Sequence, residues 1–288
     1  MPIFNRITYG PVETEAYAVF DSSDGSFTFF QDAKGKYTDG QVSGTKTYYT
    51  GFEDITGETN PSWTNYRGEQ KNTIKTVVFK DKIRPKTCYY WFSNADALTS
   101  ITGLDKLDTS KVTDMYCMFD GCSSLTSLDV SSFNTANVTD MGYMFGFCSS
   151  LTSLDVSSFN TAKVTKMNDM FRACSLTSLD LSRFNTENVT DMNNMFYYCI
   201  SLTSLDLSGF NTENVTDMES MFSFCFKLKT IYASSLFTTD AGSSSGYMFY
   251  GCDSLVGVAG TKYNRNYTDK TYARIDGGTS NPGYFTAK

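Results

Sequence analysis

Repeated carboxylates are the side chains in this sequence best placed to bind a ligand. The motif Ser-Leu-Asp-(Val/Leu)-Ser occurs four times and sets one aspartate in each copy, at Asp129, Asp155, Asp180 and Asp206. On the outward side of consecutive strands, such side chains stand about 5 Å apart. This Asp column then offers oxygen ligands for Ca²⁺ or a negative surface for a basic partner. Each Asp can instead accept hydrogen bonds from hydroxyls and amides of its own turn, so the motif leaves both interpretations open.

A second set of candidates lies where the copies differ. A side chain that the packing pattern does not fix is free to contact a partner, and Tyr is a frequent anchor at interfaces. Drift on an unconstrained surface produces the same variation. The partner-binding candidates at these positions are Tyr116, Tyr143, Asp169, Arg172, Asn194, Tyr197 and Glu219.

The sequence offers little for catalysis. It contains no His, which removes the commonest general base and metal ligand. It has no nucleophile motif and no phosphate-binding Gly loop. Carboxylates repeated in similar surroundings do not supply the two unlike pKa values of a catalytic pair. We therefore predict no enzymatic activity and no cofactor, and no metal apart from Ca²⁺ on the Asp column as an alternative.

Both sets of candidates belong to one repeat. A Met-Phe pair followed three residues later by Cys recurs at intervals of 25 to 27 residues, and its cysteines are Cys122, Cys148, Cys174, Cys199, Cys225 and Cys252. A period in the twenties with an LxxLxL core is typical of leucine-rich repeats. One copy cannot bury enough apolar surface alone, so neighbouring copies must share a core.

Two periodicities meet within each copy. Leu128, Asp129 and Val130 alternate as in a strand with one buried side. Apolar residues from Val138 to Cys148 recur at spacings that predict a short helix, capped by Thr139. The predicted fold is an α/β solenoid, a leucine-rich-repeat stack of about eight strand-turn-helix coils of 25–27 residues, with its strands on the concave side.

The sequences that flank the repeat predict two caps. Residues 1–70 carry strand patterns over 26–30 and 45–52 and are predicted to form a β-rich N-terminal cap. Residues 71–258 are predicted to form the solenoid, and the turn-rich residues 259–288 a short C-terminal cap. Such caps cover the open ends of a repeat stack.

Eight cysteines suggest disulfides until they are placed in the repeat. Six of them share one inward position, and equivalent positions in adjacent copies are farther apart than the roughly 4.4–6.8 Å between Cα atoms that a disulfide allows. Without a CxxC pair or His, a tetrahedral metal site lacks ligands. We predict buried free thiols.

The charge balance narrows the class of partner. A formal net charge of −7 argues against nucleic acid and against anionic membrane surfaces. The sequence has no apolar run long enough to span a bilayer and no recognisable signal peptide.

The repeated residues LTSLDLSxFNTxxVTDMxxMFxxC resemble the BspA-like leucine-rich-repeat proteins of bacterial cell surfaces. The segments AYAVF, IxxVVF and GGTSNPGYFT also resemble the flanks of those proteins, so the resemblance covers nearly the whole chain from Ala16. It implies a secreted or cell-surface protein, and some proteins of that group adhere to host matrix proteins or to other cells.

Three functions fit the sequence. The first is a non-enzymatic, monomeric binding module that holds a protein or glycan partner through the solenoid surface. The second is structural, a spacer or a self-assembling subunit of a surface layer or particle. The third is a solenoid whose Asp column binds Ca²⁺ and stiffens the stack.

Overall fold

Strands come first along the chain. A computed structural model describes residues 12–65, 73–241 and 244–288, so residues 1–11 and 66–70 of the predicted cap lie outside the described residues. Four strands pair antiparallel: β1 (Thr14–Asp21), β2 (Ser26–Ala33), β3 (Val42–Ser43) and β4 (Lys46–Thr50). β2 and β4 confirm the strands predicted over 26–30 and 45–52.

This antiparallel sheet continues directly into the repeat. β2 pairs in parallel with β5 (Thr76–Phe79), and β5 pairs with β6 (Ser100–Thr102), which gives the order β3-β4-β1-β2-β5-β6. Phe29 of β2 stacks on Phe79 of β5 with ring centroids 4.5 Å apart. One apolar core therefore runs from the N-terminal sheet into the coils.

The prediction of helices is wrong. Across the described ranges there is no α-helix, and the helical segments are five 3₁₀ turns of three residues each. They lie at Phe52–Asp54, Leu104–Lys106, Thr109–Lys111, Lys270–Tyr272 and Gly278–Ser280.

The segment predicted to be helical is a run of β-turns. The N–H of Met144 donates to the Met141 carbonyl, and the N–H of Cys148 donates to the Phe145 carbonyl. The third residues of these two turns, Tyr143 and Phe147, have φ of 54° and 55°, which is the sign that a type II turn requires. The spacing M-x-x-M-F-x-x-C puts the same residues inward in a helix and in consecutive β-turns. The spacing alone therefore does not distinguish the two structures.

Hydrogen bonds to the next coil replace those of a helix. The N–H groups of residues 141, 143, 145 and 147 donate to the carbonyls of residues 166, 168, 170 and 172 at 2.7–3.1 Å. Phe rings of adjacent coils, from Phe92 to Phe249, stack 5.5–6.0 Å apart. Packed helices need about 8–10 Å, so coils this close exclude them. The reason for expecting a curved stack with concave strands disappears with the helices.

The predicted repeat strands form only towards the two ends of the stack. β7 (Ser204–Asp206), β8 (Thr230–Ala233) and β9 (Phe285–Ala287) make a second sheet, which is parallel throughout. The described copies that begin at Leu125, Leu151 and Leu176 have no regular strand at this position. Parallel bridges hold them instead, joining residues 114, 140, 166, 191, 217 and 244 in turn.

The inward pattern itself is confirmed. Met, Phe and Cys of the repeated M-x-x-M-F-x-x-C segments are fully buried, and all eight cysteines are buried with free thiols. Thr139 does not cap a helix, because its hydroxyl donates to the Thr113 carbonyl of the preceding coil at 3.1 Å. The division into two caps and a solenoid stays a prediction, since the six-stranded sheet extends across its first boundary and the three-stranded sheet across its second.

Candidate binding surface

Two pairs of residues in each M-x-x-M-F-x-x-C segment lie between the apolar residues that fill the core. We call the side chains of these pairs the turn face. In the regular copies, the first pair lies between the two methionines and the second lies between Phe and Cys. In the first copy Cys88, Trp91 and Ala95 replace the two methionines and the cysteine, and in the last copy Ser245 replaces the first methionine. The first pairs are residues 89–90, 116–117, 142–143, 168–169, 193–194, 219–220 and 246–247, and the second pairs are 93–94, 120–121, 146–147, 172–173, 197–198, 223–224 and 250–251.

A tyrosine row occupies the N-terminal part of the turn face. Tyr116 stacks on Tyr89 with ring centroids 5.5 Å apart, and Tyr143 meets Tyr116 edge-on at 5.8 Å. Burial raises the pKa of the Tyr143 hydroxyl to about 12, helped by the Asp169 carboxylate. These phenols are therefore neutral hydrogen-bonding groups at physiological pH.

Arg172 lies at the centre of the middle part of the turn face. Its guanidinium lies 5.0 Å from the ring centroid of Phe147 and 4.7 Å from that of Tyr197. It also forms an ion pair with the buried Asp169 carboxylate at 2.9 Å. The structure thus brings four of the predicted residues, Tyr143, Asp169, Arg172 and Tyr197, into one contact network.

A second carboxylate, that of Asp120, lies beside this network, one coil before Tyr143 and two coils before Arg172. Asp120 Oδ1 is buried and has no hydrogen-bond partner among the described residues, and the same holds for Arg172 Nε. Burial raises the pKa of the Asp120 carboxyl to about 7, Asp169 adds to the rise, and Arg172 opposes it. Gly146 makes room for this carboxyl, because a Cβ there would lie 2.7 Å from Asp120 Oδ1.

Several aromatic residues of the turn face hold a left-handed backbone. Phe147, Tyr198 and Phe224 have φ of 55°, 61° and 62°. Gly121 and Gly251 occupy the same position in other copies, with φ of 73° and 75°. A left-handed conformation costs a non-Gly residue about 1–2 kcal/mol, so the backbone favours Gly where these rings stand.

These rings and their neighbours form an exposed aromatic patch. The ring centroids of Tyr198, Phe226 and Tyr250 each lie 5.2–6.2 Å from that of Phe224. Phe226 and Tyr250 are 40% and 44% exposed. Contiguous exposed apolar surface of this kind commonly marks a binding site.

The Asp column lines a separate groove, on the Ser-Leu-Asp side of the coils. This groove of about 810 Å³ is bordered by Asp129, Asp155 and Asp180 together with Ser and Leu side chains. Each of these carboxylates accepts the N–H of the Ser two residues on, at 2.9–3.0 Å. Hydrogen bonds from the side chain and the backbone of these serines hold the pKa of all three carboxyls below the ordinary value.

Asp206 extends the column and forms an ion pair with Lys288. Across the described ranges, no three acidic, His or Cys side chains converge as a metal site would need. The arrangement matches the local hydrogen bonding that the motif allowed, and it leaves ionised carboxylates along the groove.

Two other predicted residues lie on the turn face outside the aromatic patch. The Asn194 amide donates to Asn193 Oδ1, and Glu219 Oε2 accepts from the Ser244 hydroxyl at 3.4 Å. Neither forms a hydrogen bond or an ion pair with the Arg172 network within the described ranges, so the predicted turn-face residues form one surface but not one site.

Sequence reasoning missed part of this surface. It did not single out Phe147, Phe224, Phe226 or Tyr250. For Phe147 and Phe224 the signal was present at the position before the repeat Cys, where two copies carry Gly and three carry an aromatic residue. Gly in some copies of one repeat position is typical of an outward residue with positive φ.

A family model described as "Mycoplasma protein of unknown function, DUF285" matches residues 86–201 and again residues 175–272, which together are more than half of the chain. A search of curated proteins found no similar sequence. Among solved structures, a leucine-rich repeat protein from Bacteroides ovatus aligns with 87% of this chain and 82% of its own, at 15% identity and a TM-score of 0.31. In the part of the chain that the structure describes, no helix has the length and apolarity to cross a membrane.

Proposed function

The chain belongs to the DUF285 family, and we propose that it is a non-enzymatic binding module that holds a protein or glycan partner through the turn face. The partner class includes host matrix proteins and other cell surfaces. We also propose that the module is of the BspA-like kind, monomeric, and either secreted or displayed at the cell surface. The resemblance of the repeat and its flanks to that group supports this.

One observation carries the proposal. Phe147 and Tyr198 keep exposed aromatic rings, 41% and 44% exposed, on a left-handed backbone. Rings this exposed bury less apolar surface than the core rings do, and the left-handed backbone opposes any residue except Gly. Folding alone therefore favours Gly at both positions, as in the copies with Gly121 and Gly251. A side chain kept against the preference of the fold suggests selection for a contact with a partner.

The composition of the turn face supports the same function. Tyr, Phe and Arg are the residue types most enriched at protein interfaces and at their energetic centres. Here the guanidinium of Arg172 is held between the rings of Phe147 and Tyr197. Residues fixed in this way lose little rotamer entropy on binding, which favours affinity.

The experiment compares matched glycine variants. Phe147→Gly/Tyr198→Gly removes both rings at left-handed positions, and Ala173→Gly makes the same backbone change in the intervening copy, where φ is 54°. Retention of the full chain is measured on arrays of purified matrix proteins and glycans. We expect the double variant to melt close to wild type and to lose retention, while Ala173→Gly keeps it.

Two results would count against this function. No retention of the wild-type chain on any matrix protein or glycan would remove the binding module itself. Equal retention by wild type and by Phe147→Gly/Tyr198→Gly would show that these rings do not contribute to binding.

A further inference from the structure

A groove opens where the last turns of the repeat meet the C-terminal segment. Its volume is about 720 Å³, and its apolar wall consists of Phe224, Phe226, Tyr250 and Tyr263. Ligand pockets commonly measure about 300–1,000 Å³ and combine apolar walls with a few polar groups. The groove is thus large enough for a short oligomeric ligand.

Positive charge is concentrated at the rim of this groove. Lys262 and Arg265 line it together with a single carboxylate, Asp253. Neither cation forms an ion pair with another residue that the structure describes. The chain as a whole carries a net charge of −7, so two unpaired cations beside aromatic rings are a local reversal of sign. Such a site attracts an anionic ligand.

The groove is held in shape before any ligand arrives. The Gly251 N–H donates to the Tyr263 hydroxyl at 3.0 Å, which fastens the C-terminal segment to the last complete turn. Gly251 has φ of 75°, and a Cβ there would lie 3.1 Å from the Phe224 ring. The Asn264 N–H donates to the Tyr284 hydroxyl at 3.0 Å. Side chains anchored in this way reduce the entropy that binding costs.

We propose that this groove binds an acidic saccharide, a short oligosaccharide that carries a carboxylate or sulfate group. The inference rests on the proposed binding function and names the chemistry of one ligand. The C–H side of a pyranose ring packs on an aromatic ring, and Phe226 and Tyr250 are exposed for that contact. Lys262 and Arg265 pair with the acidic group, and Asp253 and Asn264 bond to sugar hydroxyls.

The charge pattern and the shape together favour a saccharide over a peptide. The lining of the groove combines aromatic rings with polar and charged groups, and each acidic pyranose likewise has an apolar side, hydroxyls and an anionic group. An extended peptide instead gains affinity by pairing its backbone with a sheet edge, and no residue that lines this groove belongs to one of the described strands.

The test is calorimetric titration of the full chain. The ligands are trigalacturonate, sialyllactose and a sulfated heparin tetrasaccharide, with maltotriose as the neutral saccharide and hexaglutamate as the acidic peptide. We expect at least one acidic saccharide to bind about tenfold or more tightly than maltotriose, with affinity that falls as salt rises.

Variants separate the contribution of the two cations from that of the aromatic rings. Lys262→Gln/Arg265→Gln should reduce acidic-saccharide affinity about tenfold, and the charge-matched Lys111→Gln/Lys163→Gln, outside the groove, should leave it unchanged. Phe226→Ala/Tyr250→Ala should abolish binding of every saccharide, with a circular dichroism melt as the check on folding.

Three results would overturn the inference. They are no binding of any acidic saccharide at millimolar concentration, equal binding of acidic and neutral saccharides, and tighter binding of hexaglutamate. If the wild-type chain is still retained on matrix proteins in any of these cases, the saccharide site fails and the binding module stands.

Discussion

The Cys148 thiol donates a hydrogen bond to the carbonyl oxygen of Phe119 in the preceding coil, at 3.2 Å. The other repeat cysteines make the same contact, with Sγ 3.0–3.3 Å from the carbonyl oxygen of a Phe one coil earlier. A free thiol is apolar enough for the core and still a weak donor. The repeated Cys is therefore a contact between coils, in addition to a filler of the interior.

Removal of that thiol should weaken the stack. Cys148→Ala deletes a buried sulfur and one weak hydrogen bond, so we expect the free energy of unfolding to fall by about 1–2 kcal/mol. Urea denaturation measures the change. Ser149→Ala, at an exposed neighbour, should stay within about 0.5 kcal/mol of wild type, and an equal loss in both variants would contradict the role of the thiol.

The thiols should also resist modification in the folded protein. Burial raises the pKa of all eight cysteines, that of Cys225 to about 12. Because the thiolate is the reactive form, a thiol reagent at pH 8 should label the native chain slowly. After denaturation without reductant it should label all eight. Rapid labelling of the native chain, or fewer than eight thiols after denaturation, would refute this prediction.

Thr135 forms a second contact between coils, and its loss should cost more. Its buried hydroxyl donates to the Asn160 carbonyl at 3.0 Å and accepts the Asn160 N–H at 2.8 Å. Thr135→Val keeps the volume and leaves both backbone groups without a partner. At about 1–3 kcal/mol for each of the two unsatisfied groups, we expect a loss of roughly 2–6 kcal/mol in chemical denaturation. The exposed Thr152→Val is the control, and similar losses in the two variants would contradict the prediction.

The sequence predicted the interior because residue type alone decides it. Met144, Phe145 and Cys148 are buried in any packing that uses the repeat. The sequence did not predict the turns, because the choice between a helix and β-turns depends on which carbonyl accepts the N–H of Tyr143. In the structure that N–H bonds to the Asn168 carbonyl of the next coil, 2.9 Å away. A bond between residues one coil apart leaves no trace in the local spacing.

The candidate surface was likewise predicted only in part. Tyr116, Tyr143, Arg172 and Tyr197 were found from variation between copies, which the sequence displays directly. Phe147 was missed because a helix would give its position no special backbone, whereas the turn gives it a positive φ. Lys262 and Arg265 lie beyond the regular copies, so no equivalent position existed for comparison.

Asp120 should make stability depend on pH. Its carboxyl has a pKa raised to about 7, chiefly by burial, from an ordinary value of 3.8. The folded chain therefore binds a proton more strongly than the unfolded chain between these two values. Linkage then requires that the contribution of this group to stability is present below about pH 4 and is lost as pH rises towards 7.

Asp120→Asn tests this, because Asn matches the shape of the neutral acid and does not ionise. At pH 7.5 the variant avoids a buried unpaired charge, and we expect it to be more stable than wild type by on the order of 2–4 kcal/mol. At pH 4 the two should nearly coincide. Thermal melts across this range measure the difference, with the exposed Asp105→Asn as control. A constant gap between Asp120→Asn and wild type at all pH values would show that Asp120 does not titrate in this window.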